Sequence, residues 1–150
     1  MEPFSDEYFM NQALREARTA AETGEVPVGA VIVSQNTILA RAHNSVELLK
    51  DVTAHAEIIA ITAAMQHLDS KYLPECTLYV TLEPCPMCAG ALKWSQIGRV
   101  VYGAADDKGG FMKFGKAMLH PKTTLEFGIL HEECGKILTE FFAAKRQLTG

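Results

Sequence analysis

Cys76-Thr77-Leu78-Tyr79-Val80-Thr81-Leu82-Glu83-Pro84-Cys85-Pro86-Met87-Cys88 is the stretch from which the fold can be read. Up to Leu82 it is β-branched or apolar with no polar face, as in a strand covered on both sides. Pro84 and Pro86 then break the strand and open a helix, Pro86 standing in the first turn where a missing N–H costs nothing. That helix runs through Ala91 and Leu92 to about Trp94. Downstream, Ile97 to Gly103 reads as a second buried strand and Leu125 to Ile129 as a short edge strand. A last helix carries Cys134, Ile137, Leu138, Phe141 and Phe142 on one stripe and ends in Lys145 and Arg146.

Upstream, Ser5 reads as the N-cap of a first helix, with Asp6 and Glu7 where the helix dipole favours acids. Phe9, Ala13, Ala17 and Ala20 recur at helical spacing until Gly24 offers a stop. Val28, Ala30, Ile32 and then Thr37 to Ala42 are β-type, with Ser34-Gln35-Asn36 as the turn of a hairpin. Asn44 to Thr53 is polar and irregular. A second helix begins near Ala54, capped by Thr53 and marked by Ile58, Ile61, Thr62, Met65 and Leu68. These elements predict a single domain over residues 1–150: an α/β, three-layer α/β/α fold with a five-stranded mixed sheet and helices on both faces. Helical crossovers make its central strands parallel and right-handed, and the first hairpin supplies an antiparallel edge.

The chain of 150 residues is long enough to bury about two thirds of its unfolded surface without disulfide staples. Hydrophobic residues at 48%, charged residues at 21% and a mean hydropathy of +0.04 describe a soluble globule. No run approaches the roughly 18 apolar residues of a membrane span, and the acidic opening lacks the basic start of a secretory signal. The expectation is a cytoplasmic protein without membrane contact, in which Cys-x-x-Cys binds metal or does redox work. A His-x-Glu upstream favours metal. Residues 1–107 carry seven basic and 14 acidic side chains, and residues 108–150 carry seven basic and four acidic ones. A polyanion should therefore approach the C-terminal third.

His55, Cys85 and Cys88 offer one imidazole and two thiols, and Glu57 a carboxylate beside them. Neutral imidazole plus two thiolates balances one zinc ion per subunit and leaves a fourth tetrahedral position to water, whose pKa falls from about 15.7 to roughly 7–9. Residues two apart point to opposite sides of a mid-helix, so His55 and Glu57 serve one site only at the very start of a helix. Glu57 is then placed to take the water's proton and return it to a substrate nitrogen. Together these parts make a hydrolytic deaminase: hydroxide adds to an amino-bearing ring carbon and ammonia leaves. A closed structural zinc site needs a fourth protein ligand. Cys76 and Cys134 look like core residues, and His43 is the weaker candidate.

His55-Ala56-Glu57 with Pro84-Cys85-Pro86-Met87-Cys88 resembles the zinc-dependent cytidine-deaminase superfamily. More narrowly, Glu25-Val26-Pro27-Val28-Gly29-Ala30-Val31, Thr53-Ala54-His55-Ala56-Glu57 and Thr77 to Cys85 resemble the bacterial tRNA adenosine deaminases, over most of residues 6–147. The resemblance implies deamination of the wobble adenosine to inosine in a tRNA anticodon loop, with zinc on His55, Cys85 and Cys88 and Glu57 as proton shuttle. It also implies that Asn44 hydrogen-bonds the flipped nucleotide and that the protein is a homodimer; by its own residue type Asn44 reads equally as a turn residue. Ala56 and Glu83, set among the ligands, are further candidate substrate contacts. Pro86 and Trp94 are closer to the related guanine deaminases, which act on free bases. After Asp107 the tRNA enzymes' Gly-Ser-Leu and Asn-His-Arg elements are replaced by Lys108 to Lys122, four lysines and no acids around Phe111 and Phe114.

Lys113 and Lys116 with the two phenylalanines make either a surface for phosphates and stacked bases or a solvated loop whose rings plug into the core. Phe142 reads equally as an anticodon-loop contact or a core residue. Two other functions stay open: a free nucleobase or nucleoside deaminase acting on guanine or cytosine, and a non-catalytic RNA-binding module with structural zinc.

Overall fold

Ser5 starts the first helix as its sequence predicts, in a computed structural model that describes residues 2–149; Met1 and Gly150, the ends of the expected domain, lie outside the described residues. The Ser5 hydroxyl accepts the Tyr8 N–H at 3.1 Å, and α1 (Asp6–Glu22) buries Phe9, Met10, Ala13, Leu14, Ala17 and Ala20. Gly24, at φ +81°, closes the helix: its N–H reaches Ala21 O at 3.2 Å and that of Glu25 reaches Ala20 O at 2.9 Å. This pair of bonds is a Schellman end, and it delivers Glu25 in a fixed place beneath the sheet's edge.

β1 (Gly29–Ser34) and β2 (Thr37–His43) form the predicted hairpin. Gln35 and Asn36 both take positive φ, 50° and 63°, the primed two-residue turn that matches strand twist. The segment after it is not irregular. Val46–Leu49 makes a four-residue helix, α2, and α3 (Ala56–Leu68) begins two residues later than expected, with His55 as its N-cap. Thr53 does not cap it, because its N–H and hydroxyl are both taken by Asp51 Oδ1 at 2.8 and 2.7 Å.

β3 (Thr77–Leu82), α4 (Pro86–Ser95) and β4 (Arg99–Ala104) follow as a strand, helix and strand, with Pro86 at the helix start. The connection to β5 (Thr124–Phe127) is made by two 3-10 turns, Phe111–Phe114 and Lys116–Met118, rather than by a helix. In that basic segment the two phenylalanines part company: Phe111 is wholly buried in the core and Phe114 is exposed. The last helix, α5, spans His131–Thr149.

The sheet order is β2-β1-β3-β4-β5, with β1 antiparallel to both neighbours and β3, β4 and β5 parallel. Alternation along the strands splits the core in two. Ile32, Leu78, Val80 and Val100 meet Ala60, Ile61, Ala64 and Leu92 of α3 and α4 on one face. Val31, Tyr79 and Val101 meet Phe9, Leu14 and Cys134 of α1 and α5 on the other. Three layers result, and the ends of β3 and β4 open toward the starts of α3 and α4. Among the described residues no helix is long and apolar enough to cross a membrane.

Candidate active site

Two helix starts build the site. His55 and Cys85 are the N-caps of α3 and α4, both with extended backbone (φ −76°, ψ 152° and φ −74°, ψ 168°), so each side chain leaves just before its helix begins. Cys88, three residues into the α4 turn, is buried beneath them. His55 Nδ1 stands 3.6 Å from Cys85 Sγ and 3.5 Å from Cys88 Sγ, and the three ligand atoms all lie within 4.8 Å of one another. Glu57, in the first turn of α3 and 4% exposed, completes the group from below.

The two thiols are electrostatically unequal. A hydrogen bond from Cys88, reinforced by His55, holds Cys85 at about 4, a thiolate at neutral pH. Its partner Cys88 is pushed up by sharing that hydrogen bond and by burial. His55 is raised in turn, chiefly by its hydrogen bond to Cys85. Burial lifts the Glu57 carboxyl to about 7, near the pH at which a group can both take and return a proton.

One nitrogen and two sulfurs facing a common point fit zinc, the donor set and size of a three-ligand catalytic site. Glu57 is adjacent but lies outside this set of mutually close ligand atoms, and among the described residues no fourth His, Cys or carboxylate belongs to it. Cys76 is buried at the far end of β3, Cys134 is buried on α5 across the sheet, and His43 pairs with Glu16 at 3.2 Å. The arrangement therefore lacks the closed ligand set of a structural zinc knuckle.

A cleft of about 320 Å³ opens over the cluster, lined on one lip by Glu25, Val28, Asn44 and Glu47 and on the other by Glu83, Asp106 and Gly109, a volume at the small end of the ~300–1,000 Å³ typical of ligand sites. Asn44 lines the cleft, and its side-chain oxygen accepts the Ala56 N–H at 2.8 Å, which leaves the amide N–H groups as its remaining donors. Ala56 itself is buried and contributes that N–H rather than a surface. Glu83 lines the cleft, but its two oxygens already accept the Asp106 and Met112 N–H groups, each at 3.0 Å. Lys113 and Lys116 are exposed on the 3-10 turns and Phe142 on α5, all outside the cleft lining, which Lys145 reaches instead. Glu25, Asp106 and Lys145 are lining residues that sequence reasoning did not assign. Glu25 had one signal, its place at the head of the Glu-Val-Pro-Val-Gly stretch.

The model of the cytidine and deoxycytidylate deaminase zinc-binding region matches residues 3–104. The tRNA-specific adenosine deaminase of Aquifex aeolicus is 50% identical over 145 residues, 93% of this chain and 95% of that protein. A solved structure from studies of A-to-I editing by tRNA:A34 deaminases at the wobble position superposes with a TM-score of 0.82 at 43% identity, covering 87% of this chain and 99% of its own. Guanine deaminase from Nitrosomonas europaea shares the fold at a TM-score of 0.80 with 25% identity, covering 93% and 85%.

Proposed function

Since the chain belongs to the cytidine and deoxycytidylate deaminase zinc-binding family, we propose that it deaminates the wobble adenosine of a tRNA anticodon to inosine. The observation that carries the reading is the buried Glu57 carboxyl beside three ligand atoms that leave one side open to a cleft. Its identity to tRNA-specific relatives is 37–50% over about nine-tenths of the chain, whereas guanine deaminases match at 25% over 93% of it or at 40% over 66%, and the full-length likeness supports a polynucleotide substrate over a free base.

His55, Cys85 and Cys88 would hold the zinc ion, which when bound supplies a Lewis acid that acidifies water. Glu57 accepts a proton from the attacking water and passes it to the exocyclic nitrogen, so the ring carbon gains a hydroxyl and loses ammonia. Asn44 donates its free amide N–H groups to the extruded base, and its own oxygen stays fixed by Ala56. Outside the cleft, Lys113, Lys116, Phe114 and Phe142 offer exposed cations and rings for the anticodon loop.

A homodimer and a cytoplasmic place belong to the same proposal, as does a single catalytic domain over the whole chain. The outer faces of α3 and α4 support the dimer. Across Ala56–Leu68 and Pro86–Ser95 the only Asp, Glu, Lys or Arg residues are Glu57, which is buried, and Lys93, which is exposed, whereas α1 carries Arg15, Arg18 and Glu22 on its outer face. A helix apolar all round belongs in an interior, yet Trp94 on α4 is 83% exposed, and Leu48, Leu49 and Val52 are exposed in the segment that leads into α3.

Ammonia release from an anticodon stem-loop, compared with free guanine, cytosine and adenosine, tests the function. Turnover of the stem-loop alone, lost in Glu57→Ala with zinc retained, is the expected result. Turnover of free guanine with none on the stem-loop overturns it.

A further inference from the structure

Two buried carboxylates flank the cleft without facing the reacting atoms, and each is spent on backbone. Glu25 is 2% exposed, and its oxygens accept the N–H groups of Glu47 at 3.0 Å and Leu48 at 2.8 Å. Glu83 is 6% exposed and holds Asp106 and Met112 in the same two-bond manner on the opposite lip. Gly110 packs so tightly on Glu83 that a Cβ there would overlap the carboxylate oxygen. A buried carboxylate with both oxygens engaged by main-chain N–H groups is a strong, directional anchor, and removing it leaves those donors unpaired.

The anchor on the first lip is connected to the site. Glu25 is set by the Schellman end of α1, and its grip on residues 47 and 48 fixes the segment that begins at Asn44. Asn44 is bonded through its own N–H to Val28 O at 3.1 Å and through its side chain to Ala56, and Ser45 N–H reaches Ala54 O at 2.9 Å. The run from Glu25 to the N-cap histidine is thus one hydrogen-bonded ring. Neither carboxylate contacts a ligand atom of the zinc cluster in this arrangement.

We propose that Glu25 is a positioning residue which, with Glu83 as its counterpart, holds the two lips of the cleft, residues 44–48 and 106–112, at the separation that admits an extruded nucleotide of a polymer. The proposal rests on the tRNA reading of the site. It assigns Glu25 to substrate capture rather than to chemistry. The ordered lips are preformed, so binding does not have to order them at the expense of affinity.

The test is Glu25→Gln in the zinc-loaded full chain, assayed on an anticodon stem-loop. Glutamine keeps the shape and offers one acceptor, but its NH₂ opposes the second backbone donor. The expected result is a KM raised about tenfold or more with kcat at saturating RNA within about threefold and zinc content unchanged. A fall in kcat with KM unchanged, or a parallel loss of zinc and melting temperature, overturns the positioning role. Amide hydrogen exchange of the wild-type protein keeps the proposal testable if the variant fails to fold. The amides of Glu47, Leu48, Asp106 and Met112 should exchange at least a hundredfold slower than an unstructured peptide. Exchange of these four amides at the rate of free loops overturns the clamp. If the wild-type protein does not act on the stem-loop, the functional reading fails on its own, and the exchange measurement still decides whether the lips are held.

Discussion

Asp6→Ala should separate what holds the fold from what performs the chemistry. Asp6 Oδ1 and Oδ2 accept from Arg99 Nη1 and Nη2 at 2.9 and 2.8 Å, and Oδ1 also accepts the Tyr79 hydroxyl at 2.7 Å. The network ties the start of α1 to β3 and β4, and Glu126 on β5 joins it through Arg99. Charge-assisted bonds are worth roughly 1.5–3 kcal/mol each when sheltered. These side chains are 30% and 26% exposed, so solvent screening and the surviving Glu126 contact reduce the total to about 2 kcal/mol. For a chain of this size that lowers Tm by about 4–8 °C.

The same network fixes the sign of a pH effect. Arg99's hydrogen bonds lower the Asp6 carboxyl below the ordinary carboxylate value of 3.8, against the opposing effect of burial. A carboxyl lowered in the folded state stabilises the fold above its unfolded pKa, and the contribution is lost as pH falls through the folded value. Urea unfolding of both proteins should therefore show a gap near 2 kcal/mol at pH 7 that shrinks progressively below about pH 4. Deamination should be unchanged, because Arg99 stands at the opposite end of its strand from the site, roughly 17 Å away. A gap under about 0.5 kcal/mol at pH 7, or one that does not narrow in acid, would refute the argument.

Three further outcomes follow from other parts of the molecule. Chelation should abolish deamination and added zinc restore it, and Cys88→Ala should reduce bound zinc, read by atomic absorption, well below about one ion per chain; full metal content in that variant contradicts the ligand assignment. Gly29→Ala places a Cβ against Ala13 O and Ala17 N of α1, and by overpacking should cost about 1–3 kcal/mol; an unchanged melting curve shows the contact is not tight. Trp94→Glu introduces a charge into the apolar outer face of α4, and light scattering after gel filtration should find a monomer; a persisting dimer puts the interface elsewhere.

The parts of the fold that announce themselves in sequence are those held by neighbours in the chain. Ser5 caps through Tyr8, Pro86 opens its own helix, and Gln35-Asn36 turns the hairpin within two residues. His55 and Glu57 were legible for the same reason: their spacing works only at a helix start. What was hidden depends on distant partners. The short helix at Val46–Leu49 has no periodicity to display and is held by Glu25, 22 residues earlier. Thr53 reads as a cap in the sequence, but Asp51, two residues before it, takes the same groups. Phe111 and Phe114 are three apart in an aperiodic segment, and only the packing of Phe111 against Tyr102 distinguishes the core ring from the exposed one.

The first strand of the chain lies inside this sheet, between β2 and β3, and that has a consequence for how the chain acquires its activity. β1 meets β2 across two residues, but it meets β3 across fifty, Ala30 lying opposite Val80. Contacts so far apart in sequence are the slow ones to form. His55 belongs to the span enclosed by that pairing and Cys85 to the turn just beyond it, so their side chains are strangers until the long-range seam closes. A fragment ending before Thr77 would keep its hairpin and its histidine and lack both thiols of the site.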